Sequence, residues 1–310
     1  MRVLFWGTPE FAAPPLRALI GEGFDVVGVV TQPDRAVGRS RSKLEAPPVK
    51  QIALEESLPV LQPEKPRGEE FRAQLAALKP DISVVVAYGH ILSSEVIALP
   101  RLGTINIHAS LLPKLRGAAP IQAAIREGHS ETGVTIMRMV KALDAGPSIV
   151  QARTPIPSDE TYGELQLRLA EMGAMALIES LALIELGQAA ETPQDDAEST
   201  YASKVDRSMT RVDWTADAAA VSRVIRAYDP KPGAFTEANS GEVKLYGARI
   251  ADAPPHEPPG MVLAVDAQGM TVACGSGAIQ VAMVHPAGKR RIAPLEWAHG
   301  RGISLGERLF

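Results

Sequence analysis

The sequence predicts an α/β protein in which a doubly wound, mostly parallel sheet is followed by a smaller all-β domain. Two observations lead to this fold class. In the first half of the chain, short apolar strands alternate with amphipathic segments, which is typical of a parallel sheet covered by helices on both faces. In the last third, short strand candidates are separated by turn residues, as in a small β-barrel.

Five apolar runs are predicted strands of the parallel sheet. They are Val3–Trp6, Val26–Val30, Ile82–Ala87, Thr104–His108 and Gly133–Met139. A helical pattern follows the first strand from about Phe11 to Ile20. Between Gly163 and Leu186 there are few helix breakers, and apolar residues recur at three- and four-residue spacing, which predicts a long helix.

A change of composition near Gly187 indicates a domain boundary. The segment Gln188–Glu198 is polar and lacks an apolar period, and residues 190–207 carry two basic and five acidic side chains, as expected of a linker. We therefore predict a first domain of residues 1–189 and a second of residues 208–310. In the second domain, a helix is predicted over about Ala216–Ala227. The strand candidates that follow it are Val243–Tyr246, Gly260–Val265, Thr271–Ala273 and Ile279–Val284.

Composition excludes several classes of protein. The chain has 310 residues, of which 45% are hydrophobic and 22% charged, and a formal charge of −4. These values argue against a disordered chain and against non-specific coating of nucleic acid. Cys274 is the only cysteine, so no internal disulfide or cysteine-based metal cluster can form. The N-terminal apolar run Val3–Trp6 is too short for a signal-peptide core, and no run approaches the roughly 18 apolar residues of a membrane span. We expect a cytoplasmic protein without membrane contact.

The fourth predicted strand carries the principal catalytic candidates. Alternation places Asn106, His108 and Ser110 on one face, although a strand buried on both sides should be apolar on both faces. An asparagine amide can donate to a developing oxyanion, and a histidine can move a proton at neutral pH. The alternative is a buried asparagine and histidine that bond to the backbone.

Asp144 is a third candidate, in the turn that follows the fifth predicted strand. It is either a solvated turn residue or the carboxylate that orients His108. Ser110 is a weaker candidate nucleophile, because it lacks the Gly-x-Ser-x-Gly elbow of hydrolases. The sequence has neither a three-glycine dinucleotide fingerprint nor a phosphate loop ending in lysine, which disfavours nicotinamide and ATP enzymes. The remaining histidines lack metal-ligand spacing, so we predict no metal.

Two basic clusters are candidates for phosphate contact. The loop Thr31–Lys43 holds four cations against one acid, and a long loop without regular structure is often functional. The second cluster is Lys289–Arg291. Each cluster is either a solvated surface or a phosphate-binding element.

Several motifs together resemble those of the methionyl-tRNA formyltransferases, over essentially the whole chain. They are Gly7–Phe11, Thr31–Arg35, Val86–Gly89, Asn106–Pro113, Arg116–Pro120, Gly133–Met137, Arg226–Pro230 and Pro286–Arg291. The Asn-x-His-x-Ser-Leu-Leu-Pro segment by itself indicates folate-dependent formyl-group enzymes, and the basic loop with the C-terminal domain narrows the resemblance to the tRNA family. That family usually has Leu-Asp-Thr-Gly-Asp where this chain has Leu-Asp-Ala-Gly-Pro at residues 143–147.

The resemblance implies a Rossmann-like formyltransferase domain joined to an OB-like barrel. It also implies transfer of the formyl group of 10-formyltetrahydrofolate, the co-substrate, to the α-amine of methionyl initiator tRNA through a tetrahedral intermediate, without metal or nucleotide. The implied catalytic residues are Asn106, His108 and Asp144. The implied folate-binding residues are Ser110, Leu111, Leu112, Pro113, Val86, Ala87, Tyr88 and Gly89. Our candidate contacts for the tRNA acceptor arm are Arg35, Arg39, Arg41, Lys43, Lys204, Arg207, Arg211, Lys289, Arg290 and Arg291, and we expect a monomer.

Three other functions stay open at this point. A formyltransferase acting on an amino sugar nucleotide shares the folate motif, but the Thr31–Arg35 segment and Lys289–Arg291 argue against it. A formyltetrahydrofolate hydrolase would use the same site with water as acceptor and would need no basic loop. A catalytically silent RNA-binding protein would have no use for Asn106, His108 and Asp144.

Overall fold

A seven-stranded sheet and a five-stranded sheet organise the chain. The computed structural model describes residues 1–37, 43–252, 254 and 257–310. The strands are β1 (Arg2–Gly7), β2 (Asp25–Val30), β3 (Arg35–Val37), β4 (Lys43–Glu45), β5 (Val60–Leu61), β6 (Ile82–Val86), β7 (Thr104–His108), β8 (Arg116–Gly117), β9 (Glu131–Arg138), β10 (Ser148–Pro155), β11 (Tyr201–Ala202), β12 (Ala234–Ala238), β13 (Gly241–Ala251), β14 (Val262–Asp266), β15 (Gly269–Ala273) and β16 (Ala278–Pro286). The α-helices are α1 (Ala13–Gly21), α2 (Pro48–Glu55), α3 (Glu69–Ala77), α4 (Ser94–Ile97), α5 (Pro120–Arg126), α6 (Tyr162–Glu185), α7 (Ala218–Ala227) and α8 (Pro294–His299), and short 3₁₀ helices lie at Glu10–Ala12, Asp196–Glu198 and Ser208–Thr210.

The first sheet has the strand order β10-β9-β7-β6-β1-β2-β5. Strands β2, β1, β6 and β7 are mutually parallel, as predicted, and β5, which was not predicted, runs parallel to β2. The fifth predicted strand, β9, instead runs antiparallel to β7. The prediction that it is parallel was wrong because a parallel neighbour needs a crossover helix packed on the same sheet, and α5, which connects β7 to β9, belongs to a different compact unit.

Burial explains why these strands form. In β1, Val3, Leu4, Phe5 and Trp6 are all buried, and every residue of β6 is buried. Such continuous apolar strands are stable where both faces of the sheet are covered. One cover is α6, which packs so closely on β7 that a side chain at Gly173 would come within 2.9 Å of Ile107. Helix α6 therefore covers one face of β7, the strand that carries the catalytic candidates.

The second sheet has the order β12-β13-β16-β15-β14, and each pair of neighbouring strands in it is antiparallel. This confirms the predicted second β domain. Helix α7 begins two residues later than predicted, because the Asp217 carboxylate caps it by accepting from the amide of Ala220 at 2.7 Å. Strand β12 and helix α8 were not predicted from the sequence.

The chain forms two compact units. The first comprises Met1–Gly117, Thr132–Thr154 and Gln166–Tyr201, and the second comprises Ala118–Glu131, Pro155–Leu165 and Ala202–Phe310. Most of the segment predicted as a linker therefore belongs to the first unit, where it includes a short 3₁₀ helix at Asp196–Glu198. Among the described residues, no helix has the length and apolar character required to cross a membrane.

Cys274 provides a probe of the second unit. The thiol lies just after β15 and is buried, and burial raises its pKa to about 12. Because the thiolate is the reactive form, we expect native protein to resist alkylation by iodoacetamide at pH 8 and denatured protein to react fully. Mass spectrometry of both samples measures this difference, and rapid labelling of the native protein would contradict the buried position of this cysteine.

Candidate active site

Asn106 and His108 lie on the same face of β7, at the end of the parallel part of the sheet. Asn106 is paired with Val85 of β6 in register, and His108 is opposite Thr135 of β9. The His108 ring is buried, and Asn106 is half-buried. In open α/β sheets, ligands bind beyond the carboxyl ends of parallel strands. The two polar side chains thus occupy a position where a site is expected.

The contacts of His108 define which ring nitrogen carries a hydrogen. Its Nε2 lies 2.9 Å from the carbonyl oxygen of Leu115. A carbonyl oxygen can only accept, so Nε2 donates in this contact. Nδ1 lies 3.7 Å from Oδ2 of Asp144, which is an ion-pair distance rather than a hydrogen bond. In the neutral ring, the basic lone pair is therefore on the nitrogen that faces the carboxylate.

Asp144 is held in an uncommon backbone conformation. Its φ of 49° lies in the left-handed region, where aspartate is one of the more tolerated residues. Its Oδ2 accepts a hydrogen bond of 2.8 Å from the amide of Gly117, and the side chain is 15% exposed. A strained residue that is held by its surroundings is a frequent feature of functional sites.

The Asn106 amide has no such anchor. Its side chain takes part in none of the hydrogen bonds formed among the described residues. A half-buried amide with unused donors can bind an oxygen atom of a ligand. The structure thus brings together near the end of β7 a free amide, an imidazole and a carboxylate.

The predicted folate segment Ser110–Pro113 forms a tightly bonded turn. The Ser110 hydroxyl donates to the carbonyl of Lys114 at 2.6 Å, and the Ser110 carbonyl accepts from the hydroxyl of Thr135 at 2.7 Å. The carbonyl of Leu112 accepts from the Gln151 amide at 2.7 Å. Ser110 and Leu112 are buried, whereas Leu111 and Pro113 are half-buried, so the last two are the side chains open to a ligand.

The other predicted folate segment, Val86–Gly89, offers main-chain groups rather than large side chains. Val86 is buried, and Tyr88 is buried against Trp6 with ring centroids 5.3 Å apart, so that burial raises the pKa of Tyr88 to about 12. Ala87 and Gly89 are exposed, with φ values of 47° and 86°. The accessible parts of this segment are therefore Ala87, Gly89 and the backbone.

The first residues of the loop Thr31–Lys43, here called the cationic loop, are hydrogen-bonded to other parts of the first unit. The Arg35 guanidinium donates to the side-chain oxygen of Gln32 at 2.5 Å, and the Gln32 amide donates to the carbonyl of Tyr88 at 3.0 Å. Hydrogen bonds from Gln62 and Lys50 lower the pKa of Asp34. Arg39 and Arg41 lie outside the described residues, and for Lys43 the structure describes the backbone, in β4, but not the side chain.

The cations predicted in the second unit fall into two groups. Arg207 pairs with Glu242, Arg290 lies 3.2 Å from Glu296, and Arg291 stacks on Tyr246 with its guanidinium 3.4 Å from the ring centroid. Lys204, Arg211 and Lys289 are exposed and form no ion pair within the described ranges. The positive charges of this second group are therefore not paired with a carboxylate of the described residues and are available to bind a polyanion.

Several site residues were not identified from the sequence. The Leu115 carbonyl accepts a hydrogen bond from His108, and the Gly117 amide donates one to Asp144. The Thr135 hydroxyl donates to the carbonyl of Ser110 in the turn after β7. Gln194 donates to the backbone of the Asp144 turn. Arg116 and Gly117 lie within one of the motifs found in the sequence. The role of a backbone amide such as that of Gly117, however, cannot be predicted from residue type. Among the described residues, no group of three or more histidine, cysteine, aspartate or glutamate side chains could hold a metal ion.

Comparison with known proteins identifies the family. The formyl transferase family model matches residues 1–181, and the formyl transferase C-terminal domain model matches residues 204–302. A methionyl-tRNA formyltransferase of Methylococcus capsulatus is 46% identical over 309 residues, which covers 100% of this chain and 99% of that protein. The chain belongs to the methionyl-tRNA formyltransferase family. A relative of the same name from Aromatoleum aromaticum is also 46% identical, over 99% of this chain and 96% of its own.

Membership in this family confirms the resemblance found in the sequence and makes the chain a formyl-transferring enzyme. Solved structures agree on the fold. HypX from Aquifex aeolicus in complex with tetrahydrofolic acid matches with a TM-score of 0.69 and 22% identity, over 96% of this chain and 46% of that chain. The sugar 3N-formyl transferase WlaRD matches with a TM-score of 0.68 and 17% identity, over 91% of this chain and 96% of that one.

Proposed function

We propose that this enzyme transfers the formyl group of 10-formyltetrahydrofolate to the α-amine of methionine on initiator tRNA, for translation initiation. The observation that carries the proposal is the convergence of Asn106, His108 and Asp144 in a chain nearly half identical, over its full length, to methionyl-tRNA formyltransferases. We place the reaction in the cytoplasm and assign it to a monomer. Residues 1–189 carry formyl transfer, residues 208–310 contribute tRNA contacts, and residues 190–207 join them.

In the proposed reaction the tRNA supplies the nucleophile, so the protein needs none of its own. The amine attacks the formyl carbon and generates a tetrahedral oxyanion. The unbonded amide of Asn106 donates to that oxygen, and a donor of this kind contributes roughly 3 kcal/mol. His108 takes the proton of the amine at Nδ1 and returns it to the departing folate nitrogen. The Leu115 carbonyl orients the ring through Nε2, and Asp144, 3.7 Å from Nδ1, stabilises the protonated form of the ring.

The residues available for the folate fit its chemistry. A pteridine ring is flat, with an apolar face and hydrogen-bonding edges, and it is suited to a surface of main-chain groups and small side chains. Ala87 and Gly89 present such groups, and Leu111 and Pro113 add apolar contact. The occurrence of tetrahydrofolate with a related fold in HypX supports this assignment.

The proposed tRNA contacts depend on the cationic loop and on the exposed cations of the second unit. We expect Arg41→Ala to raise KM for methionyl-tRNA several-fold, and to reduce the slope of log affinity against log salt by about one phosphate contact. Filter binding at several salt concentrations measures this slope. Arg17→Ala is the matched control, because Arg17 is exposed on α1 and paired with Glu55. An unchanged slope for Arg41→Ala would remove this residue from the tRNA interface.

A choice among acceptors tests the proposed function. The enzyme is supplied with 10-formyltetrahydrofolate labelled in the formyl group, together with methionyl initiator tRNA, methionyl elongator tRNA or an amino sugar nucleotide. We expect label on the initiator tRNA, much less on the elongator tRNA and none on the sugar. Transfer to the sugar would favour the activity named for WlaRD, and release of free formate without an acceptor would favour a hydrolase.

A further inference from the structure

The segment Glu191–Thr200, here called the strap, bonds to both of the loops that hold His108 and Asp144. At one end of the strap, the Thr200 hydroxyl accepts from the amide of Leu115 at 2.9 Å. At the other end, Thr192 and Ser148 exchange two main-chain hydrogen bonds of 2.9 Å each. Leu115 is the residue whose carbonyl accepts from His108. The strap is therefore part of the framework of the candidate site.

Gln194 is the residue through which the strap contacts the Asp144 turn. Its side-chain amide donates to the carbonyl oxygens of Asp144 and Gly146, at 2.9 and 2.7 Å. Its side-chain oxygen accepts from Nε and one Nη of Arg116, at 3.0 and 2.8 Å. Arg116 is buried, with 3% of its side chain exposed, and it also bonds to Asp196 at 2.8 Å. All the hydrogen-bonding capacity of the Gln194 amide is thus directed at the Asp144 turn and at Arg116.

The Asp144 turn needs such support because of its shape. Asp144 has a left-handed backbone, and Gly146 packs so closely that a side chain there would lie 1.8 Å from the carbonyl of Arg138. A non-glycine residue keeps a left-handed conformation only where its surroundings stabilise it. The two bonds from Gln194 go to carbonyls on either side of Ala145 and fix the direction of the turn. That direction determines where the carboxylate of Asp144 lies.

We propose that Gln194 is a positioning residue that holds the Asp144 carboxylate beside His108. The kinetic consequences of this inference rest on the proposed function, whereas the effect of Gln194 on the position of the Asp144 carboxylate does not depend on it. Without the two donated bonds, the turn relaxes toward ordinary backbone angles. The carboxylate then leaves the Gly117 amide, which it now contacts at 2.8 Å, and moves away from the imidazole.

The test uses a substitution that changes one half of the Gln194 amide. Gln194→Glu keeps an oxygen to accept from buried Arg116, and so avoids leaving that guanidinium unpaired. It replaces the donating NH₂ with an oxygen that faces two carbonyl oxygens. Asp196→Ala is the matched control, since it removes another partner of Arg116 and leaves the bonds to the Asp144 turn intact. Gln194→Ala is the second variant in case the carboxylate prevents folding.

The first measurement requires no catalysis. Hydrogen exchange of the Gly117 amide, followed by NMR, reports whether the carboxylate of Asp144 stays docked. We expect exchange about 10-fold faster in Gln194→Glu, as for a lost hydrogen bond, with strand β6 amides unchanged. We expect no change in Asp196→Ala. Equal Gly117 exchange in Gln194→Glu and the wild-type protein would overturn the proposal.

The second measurement separates positioning from a purely structural role. We expect Gln194→Glu to lower kcat for formyl transfer about 10-fold, with KM for methionyl-tRNA changed by less than about 2-fold. In an Asp144→Asn background the same substitution should have no further effect, because it acts through that carboxylate. A 10-fold loss in both backgrounds would overturn the positioning role. If the wild-type enzyme formylated no tRNA, the proposed function would fail, and the exchange measurement would still decide the role of Gln194.

Discussion

His108→Ala is expected to lower kcat for formyl transfer by about 10²–10⁴-fold, the usual contribution of general acid–base catalysis. KM for methionyl-tRNA and for 10-formyltetrahydrofolate should stay close to the wild-type values. The ring is buried, its Nε2 bonds to the Leu115 carbonyl, and its Nδ1 faces Asp144. These contacts hold the ring for proton transfer rather than for substrate binding. Steady-state kinetics with each substrate varied in turn separates the two effects.

Loss of a buried side chain can also lower activity by unfolding the protein, so this variant needs a control. His299→Ala removes an exposed histidine at the end of α8 and is expected to keep full activity. The thermal unfolding of both variants should be measured alongside their kinetics. A folded His108→Ala enzyme with a kcat within a few-fold of wild type would rule out proton transfer by this ring.

Asn106→Ala is expected to lower kcat by about 10²–10³-fold, because an oxyanion donor acts in the transition state and hardly at all in the ground state. The amide is half-buried and bonds to no other side chain or backbone group among the described residues. Its removal therefore leaves no buried partner unsatisfied, and the free energy of unfolding should change little. Kinetics and chemical denaturation on the same sample measure both quantities.

Asn239→Ala is the matched control for Asn106, since Asn239 lies in an exposed turn of the second unit. It should retain wild-type kcat. Asn106→Asp gives a further check, because a carboxylate of the same size cannot donate and repels an oxyanion. We expect it to be at least as slow as Asn106→Ala. Rates for Asn106→Asp near the wild-type value would mean that the amide does not contact the developing charge.

Much of the fold was predictable because burial dictates residue type. The strands β1, β2 and β6 are largely apolar runs, β7 alternates apolar with polar residues, and the long helix α6 differs from its prediction by one residue at each end. The direction of β9 was not predictable, because an apolar strand has the same pattern whether it pairs parallel or antiparallel. Helix α5 has an apolar pattern too, but nothing in that pattern specifies the unit to which it packs.

The candidate site was predictable to the extent that it consists of side chains. Polar residues on one face of an apolar strand pointed to Asn106 and His108, and a turn aspartate pointed to Asp144. The groups that fix them are mainly backbone atoms, such as the Leu115 carbonyl and the Gly117 amide, whose positions depend on chain geometry. Gln194 carried no signal, because a single glutamine in a polar segment looks like a solvated residue.

Asp144→Asn in a single-turnover reaction tests most directly whether the three groups near the end of β7 carry out formyl transfer. The amide oxygen of asparagine can still accept from Gly117, so the turn keeps its bond while the charge beside His108 disappears. With both substrates saturating and the formyl group labelled, we expect transfer to methionyl initiator tRNA to be about 100-fold slower than in the wild-type enzyme. A rate within about 2-fold of wild type would show that the carboxylate has no part in the reaction and would contradict the proposed site.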